Sequence, residues 1–172
     1  MCKTPALQVL RSRTLLTLVV GGTLSLALAP GALSVASTGQ VQLSGQEQSL
    51  LRSINAARAR AGVPPLRVAA PLQRAARAHS DAVLRTGSFT HGNWYSRLRR
   101  HGVRGRTLGE NIAWGVGGNG TAEAIVEMWL ASPPHRETML RRGFRYVGVG
   151  VATGSFAGHG GASIATADFA GR

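Results

Sequence analysis

Cysteine is nearly absent from this chain: Cys2 is the single cysteine among 172 residues. It falls within a segment that we expect to be removed on export, so the remaining domain would contain no disulfide even in an oxidising compartment. Its stability must then come from a packed hydrophobic core, which a domain of about 130 residues can supply. The absence of a retained cysteine also excludes a cysteine nucleophile.

The first 36 residues have the pattern of a secretory signal peptide. Three basic residues, Lys3, Arg11 and Arg13, precede a Leu/Val/Ala-rich run over residues 15–29. The small residues Ser34, Val35 and Ala36 follow, and we expect cleavage after Ala36. An uncleaved membrane anchor is the alternative, but glycines and a proline interrupt the run, and a spanning helix needs roughly 20 consecutive apolar residues. We therefore expect a secreted protein, extracellular or in the periplasm or cell envelope, without a transmembrane segment after cleavage.

Acidic residues and lysines are scarce in the rest of the chain. Loss of the three leader bases reduces the 20 basic residues to 17 arginines, against 7 acids, which leaves a net charge of +10. Such a charge favours solubility and loose attraction to polyanions, and it says nothing about the fold. The densest basic stretch is NWYSRLRRHGVRGR, which either lies on a solvated surface or contacts an anionic surface. We expect no specific nucleic-acid site because no recognised nucleic-acid motif accompanies the cluster. Its arginines are Arg97, Arg99, Arg100, Arg104 and Arg106.

Helical periodicity dominates the first part of the chain, and β-type alternation dominates its end. Residues 37–45 are small and polar and are predicted to form a tether before a domain over residues 46–172. A strand is expected around residues 107–115, and the Gly-rich segment 154–161 is expected to form a loose turn between the last two strands. This order indicates an α+β domain with helices covering an antiparallel sheet. The predicted helices are 46–61, 71–86, 94–100, 121–132 and 133–142, and the last two strands are 145–153 and 163–170.

Three residues are candidates for chemistry because their types suit an open metal site. Two imidazoles and one carboxylate form the first shell of many zinc centres that keep one position for water or substrate. His91 follows a helix stop, Glu110 interrupts an apolar strand, and His135 lies in the first turn of a helix. The positive end of that helix favours the neutral ring of His135, the form that binds a metal. The separations of 19 and 25 residues are not a local metal motif.

Other histidines and motifs are less informative. His79 shares a buried stripe on the second helix and is expected to be a core histidine, whereas His159 is expected in a flexible loop. The chain has no G-x-S-x-G elbow, no H-E-x-x-H and no P-loop, which removes the common serine hydrolase, zincin and nucleotide-binding signatures.

Several ordered blocks together resemble the bacterial branch of the CAP superfamily, also called SCP-like extracellular proteins. The blocks are the segment from INAARARAGVPP to SFTH, then GENIAWG, MWLASPPHRETML, YVGVGVA and ATADFA. The resemblance covers about residues 46–170. It implies secretion and a three-layer α-β-α sandwich with a central antiparallel sheet.

The resemblance also implies a cleft lined by two histidines and two acids. Its first histidine falls on His91, the acid of the GEN motif on Glu110, and the second histidine on His135. The second acid is missing: Ser132 stands near its expected place, and Glu127 lies one turn too early on a face that we interpret as exposed. This departure weakens divalent-metal binding and any catalytic role, and it leaves the fold inference intact.

Four functional hypotheses follow from the residues and the resemblance. The first is a secreted binding or interaction module without catalysis, in which His91, Glu110, His135 and Ser132 line a cleft for a divalent metal such as zinc or another ligand. The second is a metal-assisted hydrolase with Glu110 or a histidine as general base. The third is attachment to a lipid or cell-envelope component through the arginine cluster. The fourth is a relic cleft whose polar residues only stabilise the fold.

Overall fold

A computed structural model describes residues 41–171 of the chain. The expected signal peptide and residues 37–40 of the expected tether lie outside the described residues. Within residues 41–171, no helix is long and apolar enough to cross a bilayer.

Five α-helices and four strands form this domain. The chain order is α1 (Gly45–Arg60), β1 (Arg67–Val68), α2 (Ala70–Thr86), α3 (Trp94–Arg100), β2 (Thr107–Val116), a 3₁₀ turn (Gly117–Gly120), α4 (Ala122–Ala131), α5 (Pro133–Leu140), β3 (Phe144–Phe156) and β4 (His159–Gly171). The predicted helices are confirmed, with ends that shift by one or two residues. Ser44 caps α1 through a capping box with Glu47, and Thr121 caps α4 by accepting from the Ala124 amide.

The sheet has the order β1-β3-β4-β2. Strands β3, β4 and β2 are antiparallel, as expected, while the two-residue β1 pairs in parallel with β3 and was not predicted. A segment this short carries no alternation from which to recognise it. Helices α1, α4 and α5 pack on one face through Leu50, Ile54, Ile125, Trp129 and Met139, and α2 covers the other through Leu72 and Val83. The expected three-layer sandwich is therefore confirmed.

The hairpin between β3 and β4 is tighter than predicted. Phe156 and His159 pair directly, so only Ala157 and Gly158 form the turn, and both have positive φ, 49° and 81°. Two consecutive left-handed residues match the right-handed strand twist, which is why such short turns close hairpins. The loose loop expected over residues 154–161 is wrong, and His159 is the first residue of β4 instead of a loop residue.

Glycines in β3 let α2 lie unusually close to the sheet. A Cβ atom at Gly148 would overlap the backbone of Leu72, and one at Gly150 would overlap that of Ala76. Ser80, one turn further along α2, donates to the Gly150 carbonyl at 3.0 Å and contacts the Thr166 hydroxyl at 2.9 Å. The end of α2 and the loop that follows it are thereby fixed against the sheet.

Candidate functional site

The candidate residues meet at β2, an edge strand of the sheet. Glu110 lies on β2, His91 lies in the loop between α2 and α3, and His135 lies in the first turn of α5. Since α2 and α5 lie on opposite faces of the sheet, the two histidines reach the same edge from opposite sides. Their ring centroids are 6.5 Å apart with an interplanar angle of 25°.

The Glu110 carboxylate is buried, with its side chain 1% exposed, and both of its oxygens have partners. Oε1 lies 2.8 Å from Nδ1 of His91, and Oε2 accepts from the Arg97 guanidinium. A carboxylate can only accept, so the His91 proton lies on Nδ1 and its Nε2 carries the lone pair. The resemblance implied a cleft that Glu110 shares with both histidines, whereas its carboxylate contacts one imidazole and one guanidinium.

Arg97 corrects the interpretation of the basic cluster. The sequence assigned all five arginines to a solvated or anion-contacting surface, but Arg97 is buried together with Leu98 on the inner face of α3. It also donates to the His91 carbonyl at 3.3 Å, so it fixes the loop that carries this histidine. Arg97 is therefore part of the cleft and does not face an external partner.

The other arginines of the cluster are exposed. Arg99 lies 4.9 Å from the centroid of the Tyr95 ring, and its guanidinium donates to the Val103 and Gly105 carbonyls. It therefore holds the loop that follows α3. Arg100, Arg104 and Arg106 have no acidic partner within 4.0 Å in the described part of the chain.

Asp168 was not predicted as a site residue, although it faces Glu110. The two residues are direct partners in the β2–β4 register, and the Arg97 guanidinium lies 4.0 Å from the Asp168 carboxylate. Asp168 is fully buried and its carboxylate has no hydrogen-bond partner among residues 41–171. Desolvation raises the pKa of Asp168 to about 7 despite the opposing effect of Arg97. The available sequence signal was the same as for Glu110: a lone acid inside an apolar strand.

His135 is positioned by Ser132 and Asn111. Its Nδ1 lies 2.8 Å from the Ser132 hydroxyl, and the Asn111 amide donates to its backbone carbonyl at 2.9 Å. Ser132 precedes α5, as expected, but its hydroxyl contacts this imidazole and makes no capping bond to the helix backbone. Burial lowers the pKa of His135, which favours the neutral ring. The expected neutral form is thus favoured, through desolvation.

His91 is neutral at pH 7 for a related reason. Its pKa is lowered by desolvation first, and then by repulsion from the protonated form of His135 and from Arg97. The hydrogen bond between His91 and Glu110 is therefore one between a neutral imidazole and a carboxylate.

His79 is buried on α2, as predicted, and lies beneath the cleft. Desolvation and the nearby charges of Arg97 and His91 lower its pKa to about 4, while a hydrogen bond to the Thr90 backbone opposes this shift. The Thr90 backbone, immediately before His91, lies close to this imidazole. His79 thus supports the loop from below and does not itself reach the cleft.

The donor set at this edge of the sheet is smaller than a complete metal shell. Among residues 41–171, no group of three or more His, Cys, Asp or Glu side chains could hold an ion. Glu127 is 68% exposed and pairs with Arg60, so it does not supply the missing acid. Both carboxylate oxygens of Glu110 already accept hydrogen bonds, from His91 and Arg97. Among the candidate residues within 41–171, the two imidazoles remain available to a ligand through Nε2, because each uses Nδ1 for a protein contact.

Comparison with known proteins places these features in a family. The family profile described as CAP: Cysteine-rich secretory protein family matches residues 51–166. YkwD of Bacillus subtilis (strain 168) is 33% identical over 119 residues, which cover 66% of this chain and 45% of YkwD. The chain spans less than half the length of the curated relatives it matches.

Solved structures with the same fold are extracellular or surface proteins by their descriptions. An extracellular protein of Bacillus anthracis containing an SCP domain matches with a TM-score of 0.65 and 25% identity, over 77% of this chain and 45% of that one. An outer surface protein of Borrelia burgdorferi matches with a TM-score of 0.64 and 17% identity, over 77% and 96% of the two chains. The second likeness concerns the fold alone.

Proposed function

The chain belongs to the CAP, cysteine-rich secretory protein, family, and from this premise we propose that it is a secreted binding module whose two histidines share one divalent metal ion. The short distance between the two imidazole rings supports the proposal. His91 and His135 are neutral at pH 7, their centroids are 6.5 Å apart, and each ring uses Nδ1 for a protein contact. Both Nε2 atoms are then available, and one ion bound about 2.0–2.1 Å from each nitrogen can span this ring separation.

Glu110 and Ser132 support the two ligands from behind in this proposal. A metal-binding histidine commonly donates its other N–H to a carboxylate or another acceptor, which fixes the ring and makes it a better ligand. The Nδ1 contacts at 2.8 Å, His91 to Glu110 and His135 to Ser132, have this form. Arg97 keeps Glu110 in the supporting position, because the carboxylate would have to leave the guanidinium in order to bind an ion directly.

A site with two protein ligands leaves the remaining positions to water or to an external ligand. The bound ion would supply Lewis acidity and a fixed positive charge at the mouth of the cleft. Anionic or carbonyl-bearing ligands from the cell envelope or its surroundings are therefore the partners that suit this site. With only two protein donors, we expect weak binding of the ion in the absence of such a ligand.

Titration calorimetry of the chain with zinc tests this proposal. We expect one zinc per chain, loss of that binding in His91→Ala and in His135→Ala, and retention in His159→Ala, which changes an exposed histidine of β4. Ser132→Ala should weaken the affinity by about 10–100-fold through the orientation of His135. Equal heats for the wild-type chain and both cleft variants would refute a shared site.

Hydrolysis is a second candidate that one observation favours. The Ser132 hydroxyl lies 2.8 Å from Nδ1 of His135, within the reach at which an imidazole accepts the proton of an attacking hydroxyl. Screening peptide, peptidoglycan and ester substrates with Ser132→Ala and His135→Ala separates the two candidates. Turnover that both variants abolish would favour hydrolysis over simple binding, and turnover unchanged in both would exclude this pair as its source.

A further inference from the structure

A concave site lies at the other edge of the sheet from the histidines, where β1 pairs with the start of β3. It encloses about 600 Å³. Its position separates it from β2, which carries Glu110. We call it the Arg67 pocket, and it is lined by Pro64, Pro65, Arg67, Gly143, Arg145 and Tyr146.

The Arg67 pocket is positively charged and has no acidic residue in its lining. Arg67 and Arg145 are exposed, and neither has an acidic partner within 4.0 Å in residues 41–171. Arg145 donates to the Phe144 carbonyl at 2.9 Å, and the adjacent Arg142 donates to the Gly62 carbonyl at 3.0 Å. The bond of Arg145 holds its side chain in place, so less of its side-chain entropy is lost when an anion binds.

A buried arginine lies behind the wall of this pocket. Arg58 on α1 is fully buried, and its Nε donates to the carbonyl of Pro64 at 2.8 Å. Its other bonds also go to backbone carbonyls, those of Met139 at 2.6 Å and Arg141 at 3.3 Å, and its Nη2 has no partner among the described residues. No carboxylate in the described part of the chain lies within 4.0 Å of it.

This buried cation is costly to the fold because its charge is compensated only by carbonyl dipoles. Desolvation lowers the pKa of Arg58, and the charge of Arg145 lowers it further, so the positive potentials of the two arginines overlap. An anion in the Arg67 pocket would lie in the field of both arginines and would offset this cost.

Further positive charge lies along the same end of the sheet. The loop before β2 carries exposed Arg104 and Arg106 on either side of Gly105. Gly105 lies next to Gly171, because a Cβ atom at Gly105 would be 2.9 Å from the Gly171 carbonyl oxygen. Gly171 lies against the backbone of Gly143, which lines the pocket. The arginines therefore continue from the pocket along this end of the sheet.

We propose that the Arg67 pocket binds the phosphate groups of a linear anionic polymer, with the guanidinium groups of Arg67 and Arg145 contacting phosphate oxygens. Guanidinium groups donate in a planar fork that matches phosphate oxygens, and phosphate groups along a chain remain charged across the physiological pH range. Successive phosphates can reach both the pocket and the Arg104–Arg106 loop. A concave site walled by Pro64 and Pro65 suits a flexible chain, whereas a flat bilayer would meet only its rim. The proposal does not depend on the histidine cleft.

Binding of long-chain inorganic polyphosphate to the full chain tests the proposal. Affinity is measured by calorimetry at two salt concentrations for the wild-type chain, for Arg67→Gln/Arg145→Gln and for Arg52→Gln/Arg85→Gln. The second pair removes the same charge from exposed positions on α1 and α2. We expect at least tenfold weaker binding for the pocket pair, less than twofold for the control pair, and a salt slope reduced by about one for each pocket arginine removed. Equal weakening in both pairs, or no measurable binding by the wild-type chain, would overturn the proposal.

Two further readouts distinguish the source of the phosphate and exclude misfolding. Polyphosphate should raise the Tm of the wild-type chain and of the control pair but not that of the pocket pair, whose Tm without ligand should match the wild type. Retention on phosphatidylglycerol vesicles that polyphosphate does not displace would instead identify a bilayer as the partner, contrary to the proposal. Displacement by polyphosphate would support it.

Discussion

Glu110 and Asp168 lie directly opposite each other on neighbouring strands, with the Arg97 guanidinium contacting Glu110 and lying 4.0 Å from Asp168. Two like charges in this register would destabilise the sheet. The buried guanidinium neutralises Glu110, and burial keeps the pKa of Asp168 near 7, so the two carboxylates need not be charged and unpaired together. Arg97 is thus the buried cation that contacts one oxygen of Glu110, and His91 contacts the other oxygen.

Removing the charge of Arg97 should destabilise the domain strongly. Arg97→Gln leaves Glu110 buried without its main partner, and breaking a buried ion pair in this way costs about 3–5 kcal/mol. Urea unfolding measures the loss. The matched control is Arg100→Gln, on the exposed side of the same helix, which should change the free energy of unfolding by no more than about 0.5 kcal/mol.

Pairing that substitution with Glu110→Gln should restore part of the lost stability, because no unpaired charge then remains. Additive losses from the two substitutions would contradict a direct interaction between these side chains.

The fold and most of the cleft residues could be predicted from the sequence, but Arg97 was predicted on the surface and is buried. His91, Glu110 and His135 could be found because each departs from its local pattern and because the family blocks give their order. Arg97 belongs to a run of arginines, and its burial depends on the orientation of α3 against the sheet, which a seven-residue helix does not specify. The partnership of Glu110 with Asp168 depends on a strand register between residues 58 positions apart. Neither relation is a local property of the sequence.

Asp168 should give the domain a distinctive pH dependence. A pKa of about 7 in the folded state lies above the value of about 3.9 expected for an unfolded aspartate. The folded state therefore holds the proton more tightly, and the contribution of Asp168 to stability falls as the pH rises from about 4 to 7, by up to about 1.4 kcal/mol per pH unit.

Asp168→Asn does not titrate, so the difference in unfolding free energy between variant and wild type should grow in favour of the variant as the pH rises from 5 to 8. Urea denaturation at each pH measures this difference, and the subtraction removes the contribution of the histidines. A difference that stays constant from pH 5 to 8 would show that Asp168 titrates normally.

The close approach of α2 to β3 should make Gly148 intolerant of any side chain. Gly148→Ala would place a Cβ atom within the backbone of Leu72, and overpacking of this kind costs about 1–3 kcal/mol or more. The control is Gly160→Ala on β4, where a Cβ atom meets open space and should change stability by about 0.5 kcal/mol or less. Thermal unfolding of the two variants measures the difference, and equal Tm values would contradict the packing described for α2.

The central claim is that His91 and His135 present their Nε2 atoms to one shared ion while Glu110 stays with Arg97. Anomalous diffraction from crystals soaked in zinc tests it most directly. The expected result is one zinc peak bonded to Nε2 of both rings, with the contacts from Glu110 to His91 and Arg97 retained. A peak bonded to Glu110 with Arg97 displaced, or no peak between the two rings, would contradict the account.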